Sequence, residues 1–146
     1  MDQSPDIEVR AALDAFDRAF AAGDTDVVVE LFAEDASLLL LNVPAIHGRT
    51  GIRAQWAPSF ATWDMSAWAT ERVVVDVHGD RAYALSTYTE TMVHRAGTEQ
   101  SRLVVGRVVM FLRRADDGPW QITVLLNSHA RPVELLAQAS LSQGED

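Results

Sequence analysis

The stretch Arg72-Val73-Val74-Val75-Asp76-Val77-His78-Gly79-Asp80-Arg81-Ala82-Tyr83-Ala84-Leu85-Ser86-Thr87-Tyr88-Thr89-Glu90 decides the fold. Val73, Val75 and Val77 alternate with Arg72 and Asp76, the period of two that gives a strand one apolar face. Gly79-Asp80 is a hairpin turn. Beyond it, Ala82, Ala84, Ser86, Tyr88 and Glu90 alternate with Tyr83, Leu85, Thr87, Thr89 and Thr91. The small residues of the first set suit a sheet face against which helices press closely. The spacing predicts strands over residues 67–78 and 81–94. Ala96-Gly97 turns into a third strand over 100–114, and Asp116-Asp117-Gly118-Pro119 into a last over 120–129. These four strands form an antiparallel meander. Pro132 then precedes a short terminal helix over 133–141, and residues 142–146 are expected to fray.

Upstream of the meander the period changes. Ser4 as N-cap and Pro5 at the first helical position open a helix. Val9, Ala12, Leu13, Phe16, Ala19 and Phe20 form its apolar stripe, Asp14, Asp17 and Arg18 lie on the other side, and Gly23 ends it. Asp24 or Thr25 caps a second, short helix carrying Val28, Leu31 and Phe32 and closing at Glu34-Asp35. Residues 37–41 read as a strand and 42–48 as a loop broken by Pro44. A third helix over 52–60 starts at Thr50 or Gly51, with Pro58 set to kink it or end it early. Helices first and strands after make this an α+β chain, with three N-terminal helices packed on one face of the sheet. With 146 residues, 48% of them hydrophobic, the chain suits one domain spanning 1–146.

Composition excludes several chemistries. The chain has no Cys and no Lys, and its twelve basic residues are all Arg. Disulfides, thiolate metal sites, thiol nucleophiles, Schiff bases on a side chain and a phosphate-loop lysine are therefore closed. The net charge of −9 argues against nucleic acid and anionic membranes as partners. The acid is concentrated: residues 1–35 hold ten Asp or Glu against two Arg, whereas 42–127 hold eight against nine. No window reaches the about 18 apolar residues of a membrane span. The opening Met1-Asp2-Gln3-Ser4-Pro5-Asp6 is acidic where a secretory leader would be basic and then apolar, so a cytoplasmic protein is expected.

Four pieces occur in order along the chain: Phe16-Asp17-Arg18-Ala19-Phe20-Ala21-Ala22-Gly23-Asp24, Leu31-Phe32-Ala33-Glu34-Asp35-Ala36, His47-Gly48-Arg49-Thr50-Gly51-Ile52, and Asp117-Gly118-Pro119-Trp120-Gln121-Ile122 followed by Asn127-Ser128. With the helix–strand layout they resemble the nuclear-transport-factor-2-like superfamily, in particular its SnoaL-like polyketide cyclase and ketosteroid-isomerase-like branch. The resemblance implies a cone, in which a strongly curved antiparallel sheet wraps the helices and encloses a pocket. It also implies a homodimer through the outer sheet face. The functions it spans run from ketosteroid isomerisation and polyketide ring closure to epoxide hydrolysis, dehydration and binding without catalysis, so fold alone does not assign one.

Ketosteroid isomerisation needs a carboxylate base and donors for the enolate. The resemblance places Phe16 where that family carries a first-helix Tyr and Leu40 where it carries the base, and residues 104–112 hold no carboxylate. Epoxide hydrolysis of the limonene type needs two carboxylates bridged by an Arg, and the same-face neighbours of Arg107 are Val105 and Val109.

The remaining candidates come from strand parity. Tyr88 and Glu90 continue the small-residue face into the cavity, unless the register is one residue off and Glu90 pairs with an Arg outside. A Glu in a partly apolar pocket would have a raised pKa and exchange protons near neutrality. Arg107 faces out, into a dimer interface, if Leu112 faces in; a bulge at Gly106 would turn it inward to bind an oxyanion. His129, at the end of the last strand, is a candidate general base or a surface histidine. Asn127 either contacts ligand or ties the strand end to a loop, and His47 is placed to line the mouth. His78 and His94 flank turns and are read as solvated. The four His lack metal spacing, so neither metal nor organic cofactor is expected. For Phe16, Phe60, Trp56 and Trp68 core packing is the default, but a domain this small cannot pack all its helical aromatics in solid core, so some are expected to line, with Leu40 and Met110, a large, greasy cavity for a hydrophobic ligand.

Three readings follow. The first is a cofactor-independent cyclase or isomerase of natural-product biosynthesis. It would act on a polyketide-like or terpenoid-like molecule, largely by shaping it in an aromatic pocket, including for a pericyclic ring closure. The second is a non-catalytic protein that binds a hydrophobic metabolite or confers resistance to it. The third is a dimeric accessory protein whose cavity is filled, marked by a pocket below roughly 300 Å³.

Overall fold

The computed structural model describes residues 4–97 and 101–130. The expected terminal helix over 133–141 and the frayed tail lie outside the described residues. The first helix, α1 (Pro5–Ala22), starts at Ser4 and ends where Gly23 takes the left-handed conformation, φ 67°. The Gly23 and Asp24 N–H groups then close on the Phe20 and Ala19 carbonyls, both at 3.0 Å. The second, α2 (Thr25–Glu30), is capped by the Asp24 carboxylate, which accepts from the Val27 N–H at 3.2 Å.

The sequence extends α2 through Phe32 to Asp35, but the structure ends it at Glu30 and makes Phe32–Leu39 a strand, β1. The reason is tertiary. β1 lies parallel to the last strand, β7 (Trp120–Ala130), with Phe32 opposite Ile122 and Leu38 opposite Leu125. This pairing buries Phe32, Ala33, Ala36 and Leu38. Arg49 holds the turn by donating to the Phe32 carbonyl at 2.7 and 2.9 Å. A two-residue strand, β2 (Ile46–His47), pairs with β1 and leads into α3 (Gly48–Thr62). Pro58 neither ends nor confines this helix to 52–60. Pro58 and Ala54, whose carbonyl it leaves without a helical donor, are both exposed, so the break falls on the solvent side.

A second short strand, β3 (Trp63–Asp64), was not legible in the sequence and pairs with the end of β5. The meander follows as β4 (Ala69–His78), β5 (Arg81–His94), β6 (Ser101–Arg114) and β7. The sheet has seven strands in the order β2-β1-β7-β6-β5-β3, with β4 also on β5. Apart from the parallel β1–β7 pair its ladders are antiparallel. Register shifts in β1, in β4 and between β6 and β7 add the local bends that curl it into a half-barrel around the helices.

The shift in β4 changes what the strand presents. Arg72 sits opposite Ser86 but Val74 opposite Leu85, so Val73 is an extra residue. The alternation expected from the sequence places Val73 inside and Arg72 outside. The bulge reverses both: Val73 is 57% exposed, and Arg72 points to the buried Ser86 hydroxyl at 3.0 Å. Val75 and Val77 keep the expected inner face, opposite Ala84 and Ala82.

A candidate acid–base site in an aromatic cavity

The inner row of β5 runs Ala82, Ala84, Ser86, Tyr88, Glu90, and all five are buried. This is the parity expected, so Glu90 faces the interior. Around it close Phe16 and Phe20 of α1, Trp56 of α3, Trp68, Val108 of β6, and Leu125 and Asn127 of β7, enclosing a cavity of about 50 Å³. Glu90 is 8% exposed, and its Oε1 has no hydrogen-bond partner among the described residues. Burial without a compensating cation disfavours the charged form and pushes its pKa up to about 7. The Asn127 Oδ1 is likewise buried without a partner among the described residues.

Among the described residues the large cavity expected from the aromatic count is not present. About 50 Å³ is far below the roughly 300 Å³ of a typical ligand pocket. The rings fill the cone by packing on one another. Phe20 lies 5.6 Å from Phe16, 5.5 Å from Trp56, 5.1 Å from Phe60 and 4.6 Å from Trp68, measured between ring centroids. Trp68 in turn stacks on Tyr88 at 4.7 Å. A wider recess of about 280 Å³ lies along the paired ends of β4 and β5 and reaches β6, lined by Ala69, Thr70, Glu71, Thr87, Tyr88, Thr89 and Val105. It contains no buried polar atom lacking a partner, so the aromatic cavity is the better site.

Of the sequence candidates, Glu90, Asn127, Phe16, Trp56 and Trp68 converge on this cavity. The others do not. Tyr88 is buried but backs the wall: it stacks on Trp68, and its pKa is pushed up to about 12 by burial and by the Glu90 charge. Phe60, Met110 and Leu40 belong to the packed core or its margin, outside the lining. Arg107 is exposed, opposite Thr87 and Ser128 on the outer face. No bulge turns it inward, because β6 keeps regular register with both neighbours through Gly106. His47 is exposed on β2, paired through Nδ1 with the Ser37 hydroxyl at 2.9 Å, and lines no part of the cavity. His129 follows Asn127 on the inner parity of β7 but is half-exposed beyond the lining.

Two residues that matter here escaped the sequence. Asp17, read as part of the solvated side of α1, accepts from the Trp68 indole at 2.9 Å and the Thr70 hydroxyl at 2.7 Å, and pairs with Arg72. Asp17 and Arg72 are 19% and 14% exposed, so this pair is largely buried behind the cavity wall. Nothing in the alternation of β4 foretells the bulge that brings Arg72 inside. Among the described residues no group of three or more His, Asp or Glu is placed to hold a metal, and no helix is long and apolar enough to cross a membrane.

Residues 12–123 match the model of the SnoaL-like domain family. No curated protein sequence matches the chain significantly. Among solved structures, a ketosteroid isomerase-like protein from Erwinia carotovora superposes with a TM-score of 0.80 at 23% identity, over 90% of this chain and 100% of the other. A nuclear transport factor 2-like superfamily protein from Salmonella enterica gives 0.73 at 16% identity, over 88% and 93%. A scytalone dehydratase-like protein from Novosphingobium aromaticivorans gives 0.71 at 12%, over 84% and 82%. At these identities the likeness establishes the fold.

Proposed function

The chain belongs to the SnoaL-like domain family, and on that premise we propose that it is a cofactor-independent isomerase or cyclase that moves a proton on a small hydrophobic molecule of natural-product type. The observation that carries this is the Glu90 carboxyl, buried among aromatic rings with a pKa near 7. A base must take a proton and an acid must return it. A group half-ionised near neutrality does both. In its ionised form Glu90 takes the proton from a carbon beside a carbonyl, and the electron pair moves onto the oxygen. An isomerase then returns that proton to a different carbon. A cyclase uses the enolate carbon to attack a second carbonyl, and the Glu90 proton passes to the new alkoxide. The Asn127 carboxamide is the polar group at hand to fix the substrate's oxygen.

The cavity volume changes one part of the sequence reading. About 50 Å³ leaves no room to fold a long polyene, so proton transfer, rather than shape alone, is the chemistry supported. The same small volume favours a second reading, a dimeric accessory protein whose cavity is filled, since about 50 Å³ lies below the roughly 300 Å³ of a ligand pocket. The reading as a homodimer through the outer sheet face is supported by the exposure of Tyr83, Leu103, Val105, Phe111 and Leu126 there. The deciding experiment incubates the purified protein with enolisable cyclic ketones in deuterated buffer and follows exchange and isomerisation. Glu90→Gln is expected to lower the rate by about 10²–10⁴-fold. Wild-type rates no faster than buffer would overturn the enzymatic reading; recovery of bound, unchanged ligand would then favour a metabolite-binding protein, and absence of any bound ligand the filled-cavity reading.

A further inference from the structure

Arg107 stands alone on the outward side of β6. Its side chain is exposed, lies between Val105 and Val109 on the same face, and has no partner among the described residues. Among the described residues, the outward side of β4, β5, β6 and β7 carries two carboxylates, Glu71 and Asp76. Asp76 is held by the His78 ring at 2.9 Å. Glu71 is exposed and its side chain, like that of Arg107, has no partner among the described residues. The ladders put the two on one row, with Glu71 opposite Thr87 and Thr87 opposite Arg107. Two strand spacings, roughly 10 Å, separate their Cα atoms.

Covering this apolar face takes Arg107 out of water. A charge buried without a partner is strongly unfavourable, so whatever covers the face must bring it a carboxylate. A second copy brings Glu71. In a two-fold interface each residue that meets another is met by it in return. An axis between the two sheets, running along β5 at Thr87, lays β6 of each copy over β4 of the other. We propose that the outer sheet face binds a second copy of this chain in a register set by two reciprocal ion pairs, Arg107 of each protomer with the partner's Glu71. The inference rests on the homodimer reading and adds its register. The neighbouring rows agree with it. Ala69, Thr89 and Val105 share one row, which brings Val105 over the partner's Ala69. Val74, Leu85 and Val109 share another, which brings Val109 over the partner's Val74. Val74 and Val105 are 38% and 36% exposed in one copy. Facing sheets pack about 10 Å apart, a gap that an Arg and a Glu side chain span together. The recess along the ends of β4 and β5 has Glu71 in its wall, and Thr87 and Thr89 present hydroxyls there for the guanidinium N–H groups that the carboxylate does not take.

Sedimentation equilibrium and native mass spectrometry of the full chain test the register. The wild type is expected to be a dimer. Arg107→Glu and Glu71→Arg are each expected to raise the dimer Kd about tenfold or more, since each sets like charges face to face. Mixed in equal amounts, the two variants are expected to form a heterodimer in preference to either homodimer, because each supplies the charge that the other lacks. Arg107→Glu/Glu71→Arg is expected to recover the homodimer to within about threefold of the wild-type Kd. Should a reversed-charge variant fail to fold, Arg107→Gln and Glu71→Gln replace it, and their double variant is expected to lose no more affinity than the worse single one. Variants as dimeric as the wild type would overturn the inference. So would recovery in the double variant without a heterodimer on mixing, which would place the pair within one chain. A wild type that is monomeric at all concentrations would overturn the homodimer reading itself, and the register with it.

Discussion

The Trp68 indole N–H donates to the Asp17 carboxylate at 2.9 Å, across fifty-one residues of sequence. The same carboxylate takes the Thr70 hydroxyl and the Arg72 guanidinium, so one side chain of α1 fixes three residues on and before β4. The ring of Trp68 meanwhile lies against Phe20 and Tyr88 and lines the cavity. A polar anchor on the outer side of the indole thus sets the position of an apolar wall on its inner side.

Removing that anchor leaves Arg72 as a largely buried cation without its carboxylate. Asp17→Ala is expected to cost about 2–3 kcal/mol, the discounted range for breaking one side of a buried pair. The loss is read from urea denaturation, and the Trp68 indole NMR resonance is expected to move upfield. Asp17→Ala/Arg72→Met is expected to recover part of the loss. A double variant as unstable as the sum of its singles would show the two side chains do not act as a pair.

Burial raises the Glu90 pKa to about 7 from its ordinary 4.5. The native state therefore holds this proton more tightly than the unfolded chain, and stability contributed by neutral Glu90 falls as the pH rises from about 4.5 through 7. Below pH 4.5 the effect is absent; above pH 7 it amounts to about 3 kcal/mol at most. Glu90→Gln is expected to match the wild type at pH 4 and to exceed its stability at pH 8. Denaturation curves at the two pH values check this, and a stability difference independent of pH would refute it.

Gly106 lies under the Tyr88 ring. A methyl group there would sit 2.6 Å from the Ser128 carbonyl oxygen and 2.7 Å from Tyr88 Cζ. Gly106→Ala is expected to destabilise by about 1–3 kcal/mol and to disturb Trp68 through its stacking on Tyr88. Adding Tyr88→Phe is not expected to rescue it, since the Ser128 carbonyl is backbone. Melting temperature and near-ultraviolet circular dichroism report both effects.

The homodimer reading has its own test on the outer face, where Phe111 is 46% and Leu126 41% exposed. Phe111→Glu/Leu126→Glu is expected to convert a dimer to a monomer in sedimentation equilibrium while leaving the tryptophan emission unchanged. A wild type that sediments as a monomer at all concentrations would reject the reading.

Where the sequence was legible, a repeating local pattern carried the information. The β5 alternation offered Glu90 the inner face, with a register one residue off as the alternative, and the structure takes the inner one; Gly23 marked the end of α1 by its conformational freedom. Where it failed, a long-range partner decided. Residues 32–35 satisfy a helical pattern, yet β7 offers Phe32 and Leu38 a ladder that a helix cannot use. The cavity was overestimated because counting aromatic residues says nothing of how closely Phe20 and its four neighbours stack. Arg107 could be assigned to neither face from an apolar strand alone; pairing with Thr87 and Ser128 puts it outside.

The extra residue in β4 separates two tasks that a strand ordinarily performs together. Take Val73 out in thought, and Arg72 still precedes an outward Val74 and an inward Val75, opposite Ser86, Leu85 and Ala84 as before. Every side chain keeps its side, so the insertion is neutral in facing. What it adds is bend, at the point where β4 turns toward α1 and brings Arg72 to Asp17. A chain one residue shorter at this position would preserve the inward and outward code of the strand and yet lose the reach of Arg72, its largely buried cation. Length here is a measure of curvature: one residue more or less changes how far β4 bends, and leaves which side chains face the core unchanged.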